Sequence, residues 1–195
     1  MSCPPLILAS GSPYRRTLLD RLRLPYTAVS PVIDESPLPE EAPDALALRL
    51  AGEKARKVAQ THTDALIIGS DQVAVLDGIG LGKPGGHEQA LQQLARMQGK
   101  AVTFHTALCV LDATTGRRWL ENVPTTVYFR NFTIAQAERY LRAEKPYDCA
   151  GSAKIEGLGI VLVERVVSDD PTALIGLPLI ALVSLLQQAG MEVLG

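Results

Sequence analysis

Serine and arginine side chains cluster between residues 10 and 16, where a short apolar run passes into the start of a helix. Ser12 is a preferred N-cap residue, and Pro13 suits the first helical position because no backbone N–H donor is needed there. Arg15 and Arg16 then lie in the first turn, where the helix dipole disfavours each cation by roughly 0.3 to 1 kcal/mol. Together with the hydroxyls of Ser10 and Ser12, these features predict a phosphate-binding loop. The alternative is an exposed basic turn solvated by water.

Acidic residues occur at two places where they could do chemistry. Asp71 lies between the apolar runs 65–69 and 73–76, at or just after the end of a predicted buried strand. A buried carboxylate must be partnered by hydrogen bonds, a cation or a metal, since an unpaired buried charge costs several kcal/mol. Asp34 and Glu35 follow a short predicted strand within a proline-rich loop. This pair is either a metal-binding or catalytic element or a solvated surface.

Two glycine-rich segments could approach a ligand closely. Residues 80–85 satisfy the G-x-G-x-x-G pattern, but a turn precedes them and Pro84 lies within them, whereas the dinucleotide fingerprint needs a strand leading directly into a helix. A Walker A loop is also excluded, because Asp77 occupies its first glycine position and Pro84 replaces Ser or Thr. The small-residue segment 149–159 predicts either a close backbone approach to a ligand or a flexible loop.

Apolar spacing and turn residues predict alternating strands and helices along the chain. Segments 101–111 and 118–130 are rich in β-branched and aromatic residues and predict a long antiparallel hairpin. Thr133 and Gln136 form a capping-box pattern at the start of a helix. The other predicted elements are helices beginning at Pro13, spanning 43–60 and 88–97 and ending near 188, and strands at 26–29, 65–76 and 160–167.

The composition is that of a globular protein with a large core. With 195 residues and 47% hydrophobic content, the chain suits one domain or two closely joined lobes. A net charge of −2 argues against a protein that coats nucleic acid or anionic lipid through charge alone. The longest apolar run, 173–186, is interrupted and too short to span a bilayer, and no basic leader precedes an apolar core, so no membrane segment is predicted. A reducing cytosol is expected because the cysteines are odd in number and lack C-x-x-C spacing: Cys3, Cys109 and Cys149.

Across nearly its whole length the chain resembles the Maf family of nucleotide pyrophosphatases. Several separated motifs in the family's order make this resemblance specific. It implies a single domain over 1–195 with an α/β fold, in which an elongated mixed β-sheet is flanked by helices in two lobes with a cleft, similar to inosine triphosphate pyrophosphatases. The motifs that carry it are 8–16, 34–35, 53–55, 69–72, 82–84, 102–104, 150–152 and 176–179.

The resemblance implies a cytoplasmic enzyme that cleaves a nucleoside triphosphate between its α and β phosphates with a divalent cation. Glu35 and Asp71 would be ligands of Mg²⁺ or Mn²⁺, and Asp71 would also accept a proton from the attacking water. Lys54 and Lys83 would neutralise charge on the phosphates. From the residues alone, Lys54 is an ordinary solvent-facing lysine. The predicted triphosphate-binding groups are those of the serine loop: Ser10, Ser12, Arg15 and Arg16.

Three positions distinguish substrate classes within the family. The commoner pattern, which goes with dTTP and UTP hydrolysis, has an arginine-type residue, Thr and Gln where this chain has Tyr14, Gln72 and Glu156. The present residues resemble the subfamily that acts on 7-methyl-GTP, which typically has Trp at the position of Tyr14. An aromatic face attracts the positively charged methylated guanine by roughly 0.5 to 2 kcal/mol, and a carboxylate can accept from guanine N–H groups. A dTTP/UTP pyrophosphatase and a non-catalytic nucleotide-binding regulator of cell division are the alternatives. A homodimer is left open.

Overall fold

The computed structural model describes residues 4–194, which include all the predicted elements; Cys3 lies outside the described residues. Short 3₁₀ segments at Asp20–Leu22, Ala150–Ser152, Leu158–Leu162 and Ala173–Ile175 supplement the regular elements. The strands are β1 (Leu6–Ala9), β2 (Thr27–Val29), β3 (Leu66–Leu76), β4 (Ile79–Leu81), β5 (Ala101–Asp112), β6 (Arg118–Phe129) and β7 (Val163–Ser168). The helices are α1 (Pro13–Leu19), α2 (Pro43–Ala59), α3 (His87–Met97), α4 (Ile134–Glu144) and α5 (Leu179–Gln188).

The strands form one mixed sheet of seven strands in the order β2-β1-β3-β5-β6-β7, with β4 paired to β3. β2, β1 and β3 are parallel, whereas β3, β5, β6 and β7 are successively antiparallel. The predicted long hairpin is confirmed as β5 and β6, which pair from Ala101 with Tyr128 to Leu111 with Arg118. The predicted α/β class with a mixed sheet flanked by helices is also confirmed.

Three apolar clusters pack the helices onto the sheet. One cluster places α2 on one face of β1, β3 and β5, and a second places α1 and α5 on the opposite face of the same strands. The third cluster joins α3 and α4 to the far halves of β3, β5 and β6. The two ends of the elongated sheet therefore have separate helical partners, which corresponds to the expected two lobes.

Local signals in the sequence correctly predict where two helices begin. The Ser12 side chain accepts from the Arg15 backbone N–H at the start of α1, and Thr133 forms the predicted capping box with Gln136 at the start of α4. Leu18 and Leu19, the last two residues of α1, are buried. These contacts are set by residues three apart, so they need no information about the rest of the fold.

The structure differs from the predicted strand 160–167. A 3₁₀ segment occupies Leu158–Leu162, and β7 begins at Val163, because the chain makes i to i+3 hydrogen bonds before it joins β6. Within residues 4–194, no helix combines the length and the apolar character needed to cross a membrane.

Candidate active site

The candidate site lies where β3 changes its neighbour. On one side β3 pairs with β5 from Leu66 to Val75. On the other side it pairs with β1 only as far as Gly69 and with β4 only from Ala74, so residues 70–73 have no strand partner there. A cavity of about 870 Å³ opens at this gap, and both Asp71 and Gln72 line it. The sequence predicted a strand over 65–76 whose first apolar run ends near these residues; the strand is continuous here, and its partner is missing on one side only.

The gap lets side chains from both faces of the sheet reach one cavity. Successive residues of a strand point to opposite faces. Asp71 accordingly contacts Lys54 on α2, whereas the Gln72 amide contacts the backbone carbonyls of Ala173 and Leu174 on the other face. In a fully paired strand these two side chains would be separated by the sheet.

Lys54 holds the two predicted metal-binding carboxylates together. Its Nζ lies 2.6 Å from Asp71 Oδ1 and 2.7 Å from Glu35 Oε1. Lys54 and Asp71 are both buried, at 6% and 8% exposure, while 53% of the Glu35 side chain is exposed. Asp34, by contrast, points outward and accepts from the Ser36 N–H at 2.9 Å. The structure thus brings Glu35, Lys54 and Asp71 into contact, although 17 residues separate Lys54 from Asp71.

Close packing of α2 on β3 places Lys54 beside Asp71. A Cβ atom at Gly69 would collide with the backbone carbonyl of Ala51 and would lie 3.1 Å from the Ala55 Cβ. Glycine is therefore required at residue 69, two residues before Asp71. The facing residues of α2 are small and buried, so the helix backbone approaches the strand closely enough for Lys54 to reach the carboxylates.

Cationic groups surround the Glu35 carboxylate. Burial alone would raise the pKa of Glu35, but the hydrogen bond and charge of Lys54, together with the charges of Lys83 and Arg15, lower it. Lys83 is exposed and lines the cavity from the loop that follows β4. This end of the cavity therefore favours negatively charged groups beyond the two carboxylates already present.

The serine loop and Arg15 form the adjoining wall. Arg15 Nε donates to the Gly176 carbonyl at 2.8 Å, and Nη1 lies 3.5 Å from Ser10 Oγ. Its Nη2 has no hydrogen-bond partner among residues 4–194, and Arg15 lines the cavity. Burial lowers the pKa of Arg15, while the charges of Asp71 and Glu35 oppose that shift. Ser10 and Ser12 also line the cavity.

Arg16 is placed differently from its neighbour. It is exposed, donates to the Gly11 carbonyl at 3.2 Å and is not among the residues that line the cavity. Since α1 begins at Pro13, Arg15 and Arg16 point about 100° apart around the helix, and only Arg15 turns toward the sheet. A role for Arg16 in binding phosphate stays a prediction.

The three predicted specificity residues line the same cavity. Tyr14 is half-buried, and Lys154 Nζ lies 5.7 Å from the centroid of its ring. Burial, with the nearby Cys149 and Asp148, raises the pKa of Tyr14, so its phenol remains neutral at pH 7. Glu156 is exposed and also lines the cavity. The face of Tyr14 thus already accommodates a cation.

Two carboxylates converge where a divalent cation is expected. Within residues 4–194, no three His, Cys, Asp or Glu side chains form a group that could hold a metal ion. Mg²⁺, however, typically binds one or two carboxylates and completes its shell with water and substrate phosphates. Glu35 and Asp71 already share one cation, the Lys54 ammonium, so this donor set fits a cation that is held jointly with a polyphosphate.

Sequence reasoning missed Arg49, which anchors the loop that carries Glu35. Its guanidinium binds both carboxylate oxygens of Glu41, at 2.6 and 2.9 Å, and donates to the Ser36 carbonyl at 2.9 Å. Arg49 also contacts Glu53 at 3.1 Å, one helical turn further along α2. Only the contact with Glu53 has a sequence signal, the i, i+4 spacing.

Comparison with known proteins identifies the family. A family model described as Maf-like protein matches residues 5–189. A protein from Ralstonia nicotianae is 61% identical over 184 residues, covering 94% of this chain and 95% of the relative. One from Cupriavidus pinatubonensis is 60% identical over 187 residues, covering 96% and 94%, and one from Thiobacillus denitrificans is 58% identical over 191 residues, covering 98% and 95%. All three are named 7-methyl-GTP pyrophosphatase. The match spans both lobes and every side chain of the cavity, and the chain belongs to the Maf-like protein family.

Proposed function

We propose that this protein hydrolyses 7-methyl-GTP to 7-methyl-GMP and pyrophosphate. The observation that carries the proposal is that two groups of side chains line a single cavity. One group consists of lysine, arginine and carboxylate side chains joined through Lys54, and the other contains Tyr14 and Glu156, which both lie near Cys149. A nucleoside triphosphate has a polyanion and a base to match them, so we call the first group the phosphate end and the second the base end. The names of the relatives agree with this substrate.

At the phosphate end, the residues are arranged for hydrolysis of an anhydride. A water oxygen forms a bond to phosphorus as the bridge between the α and β phosphates breaks, and the proton of the water passes to Asp71. Pyrophosphate leaves with the electron pair of the broken bond. Lys54, Lys83 and Arg15 stabilise the charge that develops on the phosphate oxygens, because preformed cations in a partly water-excluded site interact more strongly than they would in bulk water.

Glu35 and Asp71 are the residues that would hold Mg²⁺ or Mn²⁺. When bound, the cation supplies charge neutralisation and polarisation of a phosphoryl oxygen. The residues of the chain then orient the triphosphate and accept the proton. Lys54 lies between the two carboxylates and contacts both of them.

At the base end, Tyr14 and Glu156 recognise the charge of the methylated guanine. The ring of Tyr14 attracts a cation on its face, as its proximity to the Lys154 ammonium illustrates. The Glu156 carboxylate is an acceptor for guanine N–H groups and carries the charge opposite to that of the base. Thymine and uracil carry no positive charge for Tyr14 and Glu156 to recognise, which favours 7-methyl-GTP over dTTP or UTP.

The test is release of pyrophosphate across a panel of 7-methyl-GTP, GTP, dTTP and UTP, with Mg²⁺ or Mn²⁺. We expect the highest kcat/KM for 7-methyl-GTP. Preference for dTTP or UTP would support the pyrimidine alternative, and tight nucleotide binding without turnover under either metal would support the regulatory alternative. A cytoplasmic location is also part of the proposal, since the described cysteines, Cys109 and Cys149, are both free thiols.

Two substitutions test how the base is recognised. Glu156→Gln keeps the size of the side chain but removes its charge, and an unpaired polar group costs about 1 to 3 kcal/mol, or one to two powers of ten in kcat/KM. Tyr14→Ala should reduce turnover of 7-methyl-GTP more than that of GTP, because only the methylated base presents a cation. If each variant lowers kcat/KM for 7-methyl-GTP, GTP and UTP by the same factor, Tyr14 and Glu156 do not determine base specificity.

A further inference from the structure

Gln93, on the inner side of α3, contacts two loops that both line the cavity. Its Nε2 donates to the Gly82 carbonyl at 3.0 Å, and its Oε1 accepts from Ser152 Oγ at 2.5 Å. Gly82 directly precedes Lys83, whereas Ser152 is a buried residue of the segment 148–156, whose Asp148 and Glu156 line the cavity. We propose that Gln93 is a positioning residue that fixes Lys83 relative to the base-recognition loop; this inference rests on the function proposed above.

The first contact restrains the loop that carries Lys83. This loop is otherwise exposed, and its other described backbone tie is the Gly85 N–H, which donates to the Tyr147 carbonyl at 3.0 Å. The Lys83 side chain makes no hydrogen bond to any group within residues 4–194, so the placement of its ammonium depends on the backbone that carries it. Loss of the Gln93 contact would leave one side of the loop without an anchor.

The second contact stabilises an unusual turn. Gly151 and Ser152 both have left-handed backbone conformations, with φ of 68° and 59°, which is uncommon for serine. Ser152 is fully buried, and its carbonyl also accepts from Tyr140 OH at 3.2 Å. A Cβ at Gly151 would lie 3.5 Å from the Phe104 ring, so the turn packs directly against β5. Gln93 thus stabilises a strained turn whose neighbouring residues in the segment 148–156 line the cavity.

The amide is suited to this double contact because its two ends have different chemistry. A carbonyl such as that of Gly82 requires a donor, which only the NH₂ group supplies, and the Ser152 hydroxyl can donate to the remaining oxygen. The two contacts can therefore be removed separately. Gln93→Glu replaces the NH₂ group with a carboxylate oxygen that repels the Gly82 carbonyl, and Ser152→Ala removes the hydroxyl while leaving the contact with Gly82.

We expect these two variants to have different kinetic effects. Gln93→Glu should lower kcat for 7-methyl-GTP and GTP alike by about tenfold, since a displacement of 1 Å can cost up to about 100-fold. Ser152→Ala should lower the ratio of kcat/KM for 7-methyl-GTP to that for GTP by about threefold to tenfold. Gln92→Glu, the same change at the exposed neighbouring residue, is the matched control and should leave both quantities unchanged.

A double-mutant cycle with Lys83→Ala separates positioning from structural support. In the Gln93→Glu background, Lys83→Ala should lower kcat much less than it does in the wild type, because Lys83 is already displaced. The proposal would be overturned if Lys83→Ala lowered kcat by the same factor in both backgrounds. It would also be overturned if the variants lowered the melting temperature without the kinetic pattern above.

Hydrogen exchange tests the same contacts without catalysis. Gln93→Glu should speed amide exchange in 82–86, and Ser152→Ala in 148–157, relative to Gln92→Glu. Absence of these changes would also overturn the proposal. If the wild type hydrolyses no nucleotide of the panel but the exchange pattern is found, the proposed function is wrong, while the link that Gln93 forms between the two loops is supported.

Discussion

Replacing Lys54 by methionine would test whether Glu35 and Asp71 form a cation site. Methionine keeps an unbranched apolar stem of similar length and removes only the ammonium. In the wild type this ammonium lies 2.6 Å from Asp71 and 2.7 Å from Glu35. The variant leaves two neighbouring carboxylates without their shared counterion.

The expected loss of stability lies between two limits. Removing one partner from a fully buried ion pair costs about 3 to 5 kcal/mol, whereas an exposed pair is worth about 0 to 1 kcal/mol. Asp71 is buried, but Glu35 is half-exposed at an open cavity, so water can solvate part of the released charge. We expect a loss of about 2 kcal/mol, which for a chain of this size lowers Tm by roughly 4 to 8 °C.

Added Mn²⁺ should then reverse this loss. A divalent cation can occupy the region that the ammonium leaves, and a Kd of about 0.1 mM would give about 2.7 kcal/mol of stabilisation at about 10 mM cation. In the wild type the Lys54 ammonium competes for the same carboxylates, so its Tm should respond less. The measurement is thermal unfolding with and without Mn²⁺ in the absence of nucleotide, which does not depend on activity.

The double variant Lys54→Met/Asp71→Asn is the control for this experiment. It lacks one of the two carboxylates, so its Tm should gain no more from Mn²⁺ than that of the wild type. If Lys54→Met also gains no more than the wild type, or if the double variant gains as much as the single one, Glu35 and Asp71 are not a joint cation site. Lys54 would then be their permanent counterion.

Three further predictions concern individual groups. Asp71→Asn should lower kcat by about 100-fold or more with an unchanged circular dichroism spectrum, since a general base contributes about 10² to 10⁴; turnover within a few-fold of wild type would remove Asp71 from the mechanism. Arg15→Ala should weaken inhibition by pyrophosphate much more than binding of guanosine, and more than Arg16→Ala does; equal effects on both ligands would place Arg15 at the base. Arg49, and next the Leu38 N–H, lower the pKa of Glu41 to about 2, so Glu41 adds stability above its ordinary pKa that is lost as pH falls toward about 2. Melting temperatures of Glu41→Gln should therefore fall less than those of the wild type between pH 5 and pH 2, and parallel curves would contradict this assignment.

Features that depend on neighbours in the chain could be predicted from the sequence. The Ser12 cap and the Thr133 capping box are confirmed because their donors and acceptors lie three residues apart. Ser10 and Ser12 also line the cavity, since their loop leads directly from β1 into α1. Which of Arg15 and Arg16 faces the cavity could not be predicted in this way, because the direction of each guanidinium depends on what packs against α1.

Features that depend on packing could not be predicted from local pattern alone. Lys54 has the pattern of a surface lysine, and its burial follows from the close contact that Gly69 permits between α2 and β3. Arg49 was missed because its partner Glu41 lies in the preceding loop rather than one turn away on α2. Family resemblance supplied Lys54, but only the structure shows why a helix side chain reaches a carboxylate in the middle of a strand.

Gln72 lies at one of the three positions that differ between the substrate classes. It can affect substrate choice through the wall of the cavity, without contacting the base. Its Nε2 donates to Thr106 Oγ1 at 2.9 Å and to the carbonyls of Ala173 and Leu174 at 3.1 and 3.0 Å, so both of its amide hydrogens are engaged. Leu174 itself lines the cavity. A threonine here would be too short to reach both carbonyls and would leave that turn free to move. We therefore infer that Gln72 acts on the shape of the cavity wall, whereas we propose that Tyr14 and Glu156 act on the charge of the base.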